Sequence, residues 1–229
     1  MLIRLKFSKQ GQVKFVGHLD TVRLFQRAIK VAKLPVAYSL GFNPHSLVYF
    51  ALPLSVGVSS VGEYMDIITK EDIDVNMVRD SLNDVLTEDI KILDAFMVED
   101  GTQALMSLVS AADYKIILPK EYFPALNKQI IQEKVNQKEI LVEKQTKKGL
   151  KEIDIKPMII SSQIEMLDES ICIYMKAYAG SKVNLNPELF LTAITNNNLN
   201  DKLYYVERQE LYACDQDKWI PLFKFRRKQ

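Results

Sequence analysis

Apolar and charged residues alternate from Met1 to Phe7, a period of two that predicts a strand with one buried face. Lys9-Gln10-Gly11-Gln12 reads as a turn, and Val13 to Val16 as a short returning strand. The period then lengthens. From His18 to about Ala32, residues Leu24, Phe25, Ala28, Ile29, Val31 and Ala32 fall on one side of a helix, which Leu34-Pro35 stops. Val36 to Ser39 reads as a short extended piece and Gly41 to His45 as a loop. Leu47 to Leu54 and Glu63 to Thr69 are expected as paired strands, joined by a small-residue loop from Val56 to Gly62. A helix from Asn76 to Leu86 turns Val78, Leu82, Val85 and Leu86 inward, and Ile90 to Val98 is the closing strand.

That order is β-α-β-β-α-β, the ferredoxin-like arrangement. After a connector that packs through Leu105, Met106 and Leu108, a similar plan follows. Tyr114 to Leu118 is a strand, Tyr122 to Glu133 a helix, and Ile140 to Lys144 with Ile153 to Ile155 a hairpin around Lys147-Lys148-Gly149. Strands at Gln163 to Leu167 and Ile171 to Ala177, a helix at Pro187 to Thr195 and a strand at Leu203 to Ala213 complete it, before a basic tail. The fold class expected is α+β, as two tandem ferredoxin-like (βαββαβ) domains, the second irregular with an extra hairpin. The boundaries expected are 1–100 for the first domain, 101–112 for the connector and 113–229 for the second.

Composition adds little until charge is placed along the chain. The formal net charge is +1 over 229 residues. Residues 1–62 nevertheless hold eight Lys or Arg against the single acid Asp20, while residues 63–100 hold three bases and twelve acids. Such polarity suggests a charged partner. The first residues lack the apolar core of a secretory signal, and the longest weakly polar run, Ser46 to Ser60, is broken by Pro53 and too short to span a bilayer. The compartment expected is the cytoplasm, with Cys172 and Cys214 as buried thiols rather than a disulfide. Two histidines and two cysteines, none at ligand spacing, make a poor metal set, and no nucleotide or nucleophile motif is present; neither metal nor cofactor is expected.

Arg23, Arg27, Lys30 and Lys33 follow one another at steps of four, three and three, which lines them along the helix side opposite the apolar one. Like charges at that spacing repel by a few tenths of a kcal/mol each, so either the acidic segment or an external polyanion would compensate them. His18 and Asp20 stand in the first helical turn, and Asn43 and His45 in a loop where Pro44 holds Asn43 extended. An imidazole titrates near neutrality and serves as an acid, a base or a phosphate contact. Whether His18 and His45 meet depends on strand order. If Val36 to Ser39 is the second sheet strand they share an end; if Leu47 to Leu54 is, they lie about a helix length apart. The clusters at Lys144, Lys147, Lys148 and Lys151, and at Lys224, Arg226, Arg227 and Lys228 with Phe223 and Phe225 between, are weaker nucleic-acid signals. The Gly57 to Gly62 run reads as a hairpin loop rather than a phosphate cradle.

His18-Leu19-Asp20, Arg27-Ala28, Leu34-Pro35, Gly41-Phe42-Asn43-Pro44-His45, Pro53-Leu54, Gly57, Glu63 and Asp66 together resemble the bacterial radical-SAM-associated, or radical-SAM-linked, proteins, a domain of unknown function. Asp154-Ile155-Lys156-Pro157 is a second, looser match. The chain departs from the pattern at Gly17, where Ser is common, and at Ser46-Leu47, where Pro and a basic residue are frequent. The resemblance implies a radical S-adenosylmethionine enzyme as partner and brings no catalytic residues with it. The chain itself lacks the three close cysteines that an iron-sulfur centre of that kind needs.

The function expected is an accessory module that binds RNA or a ribonucleoprotein beside such an enzyme. Arg23, Arg27 and Lys30 would meet phosphates, and Asn43 and His45 a loop or nucleotide. Two alternatives stand beside it: an acid-base, phosphoester-directed enzyme using His18, Asp20 and His45, and a protein-docking scaffold.

Overall fold

The computed structural model describes residues 1–99, 101–146, 149–196 and 199–226. They form a β-rich α+β protein of two compact units, one of Met1–Ser110 with Arg208–Gln229 and one of Ala111–Glu207. The C-terminal segment thus groups with the first unit, not with the rest of the expected 113–229 domain. No described helix is long and apolar enough to cross a membrane.

The first unit opens with β1 (Leu2–Lys9). A 3-10 helix over Gly11–Phe15 then replaces the short strand expected from Val13. The reason is Asp89: its carboxylate accepts the Gln12 and Val13 amides at 2.8 and 3.3 Å and closes the turn. Helix α1 (His18–Val31) starts on Gly17, with Thr21 Oγ1 donating back to the Gly17 carbonyl at 3.0 Å. It ends in a Schellman turn. Lys33 takes the left-handed conformation at φ 54°, its amide bonds to Lys30 O, and Leu34 N bonds to Ile29 O. Thr21, Phe25, Ala28 and Ile29 are its buried face.

Strand β2 (Val48–Phe50) is far shorter than the expected Leu47–Leu54. Beyond Ala51 the chain leaves the sheet, because the carbonyls of Leu52 and Pro53 turn to the Arg208 guanidinium. Then come β3 (Ser59–Ile68), α2 (Val75–Asn83) capped by Asp74, β4 (Ile90–Met97) and the single-turn α3 (Leu105–Leu108). Strand β1 lies antiparallel between β3 and β4, and β2 lies antiparallel on β3. Ile3, Leu5 and Phe7 of β1 with Met65 and Ile67 of β3 meet Phe25 and Ile29 of α1 and Val78 and Leu82 of α2 in one core.

The second unit is built on β5 (Val109–Pro119), which begins inside the expected connector. Residues 122–126 are not helical, Pro124 disfavouring the helical region at Phe123, and α4 (Lys128–Val135) starts instead at Asn127, whose side chain accepts the Ile130 amide at 2.9 Å. The hairpin β6 (Leu141–Thr146) and β7 (Gly149–Asp154) follows, then β8 (Ile159–Met166), β9 (Ser170–Tyr178) and α5 (Pro187–Ile194). Strand β9 pairs antiparallel with both β5 and β8. Strand β10 (Tyr205–Asp215) joins β3 along the edge that β2 leaves open, and β11 (Lys218–Pro221) pairs with β10. Both cysteines are free, and Cys172 is buried as expected. Cys214 is exposed, because Leu211 and Ala213 take the inward positions of β10 and the strand is close to its turn.

A histidine, an exposed basic helix and buried ion pairs

The side chains of β3 alternate between two faces, and each face carries a buried ion pair. On the face toward α1, Glu63 receives Arg208 Nε at 2.7 Å and Nη2 at 2.5 Å, both partners almost wholly buried. The same guanidinium donates to Leu52 O at 3.1 Å and Pro53 O at 3.4 Å, which satisfies it and anchors the segment after β2. Lys9 lies beside this pair and donates Nζ to the Val16 carbonyl at 2.5 Å. Burial pushes the Lys9 amine below its ordinary value, with Glu63 opposing and Arg208 reinforcing.

His18, the first residue of α1, stands edge-on to Phe50 at 5.6 Å between ring centroids. Phe50 in turn packs against Phe25 at 5.6 Å and Phe7 at 6.0 Å, so the imidazole closes an aromatic cluster. Burial and then the Lys9 cation lower its pKa, with Glu63 opposing. Both effects favour the neutral imidazole.

On the opposite face, Arg4 Nε and Nη2 hold the two Asp66 oxygens at 2.8 and 3.0 Å, and Arg4 Nη1 is buried with no partner among the described residues. Burial outweighs the guanidinium at Asp66 and raises its carboxyl. Lys6 Nζ bonds Glu210 Oε2 at 2.7 Å, and Tyr64 Oη donates to Glu210 Oε1 at 2.6 Å; burial, then Glu210, pushes the Tyr64 phenol up. The chain after β11 covers these groups, with Leu222 buried and the Phe223 ring 5.0 Å from Lys6 Nζ. Three of the eight N-terminal bases, Arg4, Lys6 and Lys9, are thus engaged inside the first unit.

The α1 stripe differs. Arg23, Arg27, Lys30 and Lys33 are all exposed. Arg23 pairs with Asp20 at 2.8 Å, both in open solvent. Arg27, Lys30 and Lys33 enter no ion pair among the described residues, and of the acidic segment Glu63 and Asp66 go instead to Arg208 and Arg4. Lys144 and Lys151 face each other across the β6–β7 hairpin, and Lys224 and Arg226 lie over Phe223 and Phe225 at 5.4 and 5.8 Å. Lys147, Lys148, Arg227 and Lys228 lie outside the described residues.

Asn43 and His45 occupy an exposed loop whose stem is closed by three hydrogen bonds: Ser39 N to His45 O at 2.8 Å, His45 N to Ser39 Oγ at 3.1 Å, and Ser39 Oγ with His45 Nδ1 at 2.8 Å. The stem continues as Tyr38 opposite Ser46 and Val36 opposite Thr69. Thr69 bonds Met1 at the start of β1, whereas His18 adjoins Lys9 at its end. The two histidines therefore stand at opposite ends of α1, whose fourteen residues rise about 21 Å. Of the two strand orders the sequence allowed, the one with β2 beside β3 is present. Among the described residues no group of three His, Cys, Asp or Glu side chains converges on a metal position.

Sequence reasoning missed Glu63, Asp66 and Arg208 as a site. A signal existed in the acids. Glu63 and Asp66 interrupt an otherwise apolar strand three positions apart, on opposite faces, and a buried carboxylate demands a cation. Nothing local marked Arg208 as that cation.

Residues 2–187 match the model of a family described as an uncharacterized protein conserved in bacteria (DUF2344). No curated protein matches the sequence. Among solved structures, a chain of a Cbf5-Nop10-Gar1 complex is similar at 9% identity with a TM-score of 0.47, over 91% of this chain and 48% of that one. The chain thus spans about half the length of that relative. A dye-decolorizing protein from V. cholerae is similar at 10% identity with a TM-score of 0.21, over 92% and 91%. At such scores neither likeness bears on function.

Proposed function

The chain belongs to that family of uncharacterized bacterial proteins, and from its own geometry we propose that it is a non-catalytic binding module whose α1 face takes an RNA backbone. The carrying observation is the split of the N-terminal charge. Arg4, Lys6 and Lys9 have internal partners, while Arg27, Lys30 and Lys33 stand exposed with no ion pair among the described residues. A row of cations of this kind gains by releasing counterions from a polyanion, and its affinity falls with salt. Arg23, Arg27 and Lys30 contact phosphates; Asn43 and His45 lie at the far end of the helix, where the RNA continues.

The acid-base alternative required His18 and His45 on one substrate, and their separation by the length of α1 speaks against it. The partner in this reading is a radical SAM enzyme in the cytoplasm, which rests on the motif resemblance alone. The finer fold reading is a tandem ferredoxin-like protein. Its support is the repeated element order, β1-α1-β2-β3-α2-β4 and then β5-α4-β8-β9-α5-β10, with the β6–β7 hairpin inserted.

RNA binding across a salt series, with Arg23→Glu/Arg27→Glu beside the native chain, tests the reading. Affinity that falls steeply with salt and is lost in the double variant is the result expected. Binding that is absent, or indifferent to the variant, sinks it and leaves the docking scaffold, for which copurification with the radical SAM partner free of nucleic acid is the sign.

A further inference from the structure

The loop at the far end of α1 carries two bare apolar side chains. Leu40 and Phe42 are both fully exposed, in a chain whose other phenylalanines include the buried Phe7, Phe25 and Phe50. The three hydrogen bonds between Ser39 and His45 close the stem and hold the apex away from the body of the unit. A loop needed only to connect Val36 to β2 gains nothing from displaying a bare aromatic ring in water, which forgoes the burial free energy of a large apolar side chain.

The surroundings say what such a ring is fitted to meet. Tyr38, at the stem and partly exposed, carries Lys70 Nζ 5.8 Å from its ring centroid. The basic stripe of α1 ends at Lys33, at the end of the helix from which the chain passes directly to the Val36–Tyr38 stem. Asn43 and His45 add exposed polar groups on either side of Pro44. Aromatic faces beside a cationic track are how single strands are bound without sequence preference: bases stack on the rings while cations follow the backbone. A duplex keeps its bases stacked on each other and has none to offer.

We infer that the 40–45 loop is a stacking platform for an unpaired base, with Phe42 as the face and Leu40 as its apolar flank, so that the nucleic acid bound along α1 is single-stranded where it reaches His45. This rests on the reading of α1 as an RNA-binding face and specifies the form of RNA it takes.

The test uses the full chain with two fluorescent probes, a short single-stranded oligoadenylate and the duplex that it forms with oligouridylate. Variants are Phe42→Ala and Phe42→Trp, with Arg27→Glu/Lys30→Glu as the backbone control. Because Phe42 packs on nothing, both replacements leave the fold intact. Phe42→Ala is expected to weaken oligoadenylate binding by about 5- to 150-fold while leaving its salt dependence and the duplex affinity unchanged. Phe42→Trp retains affinity, and its indole, added to the single native Trp219, is quenched by the oligoadenylate. If Phe42→Ala binds like the native chain while Arg27→Glu/Lys30→Glu does not, the platform is overturned and the α1 reading survives. If the native chain binds neither probe at low salt, the α1 reading fails and takes this inference with it. Loss in Phe42→Ala of binding to anionic vesicles or to a protein partner, with oligoadenylate binding untouched, overturns the platform in favour of that other surface.

Discussion

Arg208 and Glu63 lie 145 positions apart in the chain and form a two-point ion pair, with Nε and Nη2 of the guanidinium on the two carboxylate oxygens. The pair also decides where β2 ends, since the remaining guanidinium donors take the carbonyls of Leu52 and Pro53. Removing one partner leaves a buried charge uncompensated, which costs about 3–5 kcal/mol. Arg208→Met or Glu63→Leu is therefore expected to lower the urea midpoint sharply. The double Glu63→Leu/Arg208→Met replaces the pair by apolar volume and recovers much of the loss. Equal damage in single and double variants would show that the carbonyl contacts, not the charges, matter most.

His18 makes stability depend on pH in a definite direction. Burial and Lys9 hold it below the ordinary value of 6.5, so between its folded value and 6.5 the unfolded chain binds more protons than the folded one. Stability thus rises with pH through that window. The contribution is complete above 6.5 and is lost as pH falls through the folded value. Denaturation midpoints taken from about pH 8 down to about pH 5 should fall less steeply in His18→Gln than in the native chain. Parallel curves would refute the assignment.

The same histidine should act independently of His45. With a helix length between them and no shared partner, the stability effects of His18→Gln and His45→Gln should add within about 0.3–0.5 kcal/mol. A coupling well beyond that, measured by a double-variant cycle, would contradict their separation.

Gly62 permits a close approach of β3 to β10. A Cβ placed there would sit 2.3 Å from the Gln209 carbonyl oxygen, against backbone that cannot swing aside. Gly62→Ala is expected to destabilise the chain by about 1–3 kcal/mol, read as a lowered thermal midpoint. Gly17→Ala meets open space and loses only a favourable helix N-cap residue, so it should lower that midpoint much less.

The two cysteines should separate kinetically. Cys214 is exposed and Cys172 buried, both as free thiols. A thiol reagent should consume one equivalent quickly under native conditions and the second only with unfolding. Two fast equivalents would place Cys172 at the surface.

Much of the first unit was legible because its signals are local. The period of two in Leu2–Phe7, the period near 3.6 from His18 and the Leu34-Pro35 stop depend only on near neighbours, and β1 and α1 follow them within two residues. So does the stripe of Arg23, Arg27 and Lys30, whose outward face is the complement of Phe25, Ala28 and Ile29, with Lys33 in the turn just beyond. The Val13 strand was misread because the carboxylate that turns it into a 3-10 helix belongs to Asp89, 76 and 77 positions along the chain.

By itself, then, the sequence determined β1, α1, β3, α2 and β4 of the first half, and which cations ride on a helix face. Only the tertiary structure decided which of the N-terminal charges find partners inside the first unit. Arg4 is taken by Asp66 and Lys6 by Glu210, pairs 62 and 204 residues apart that strand pairing in the sheet brings within 3 Å. It also decided that His18 and His45 part company, because β2 rather than the Val36–Ser39 piece lies along β3 as a strand. Periodicity is a property of neighbours in the chain, whereas charge pairing and strand order are properties of neighbours in space.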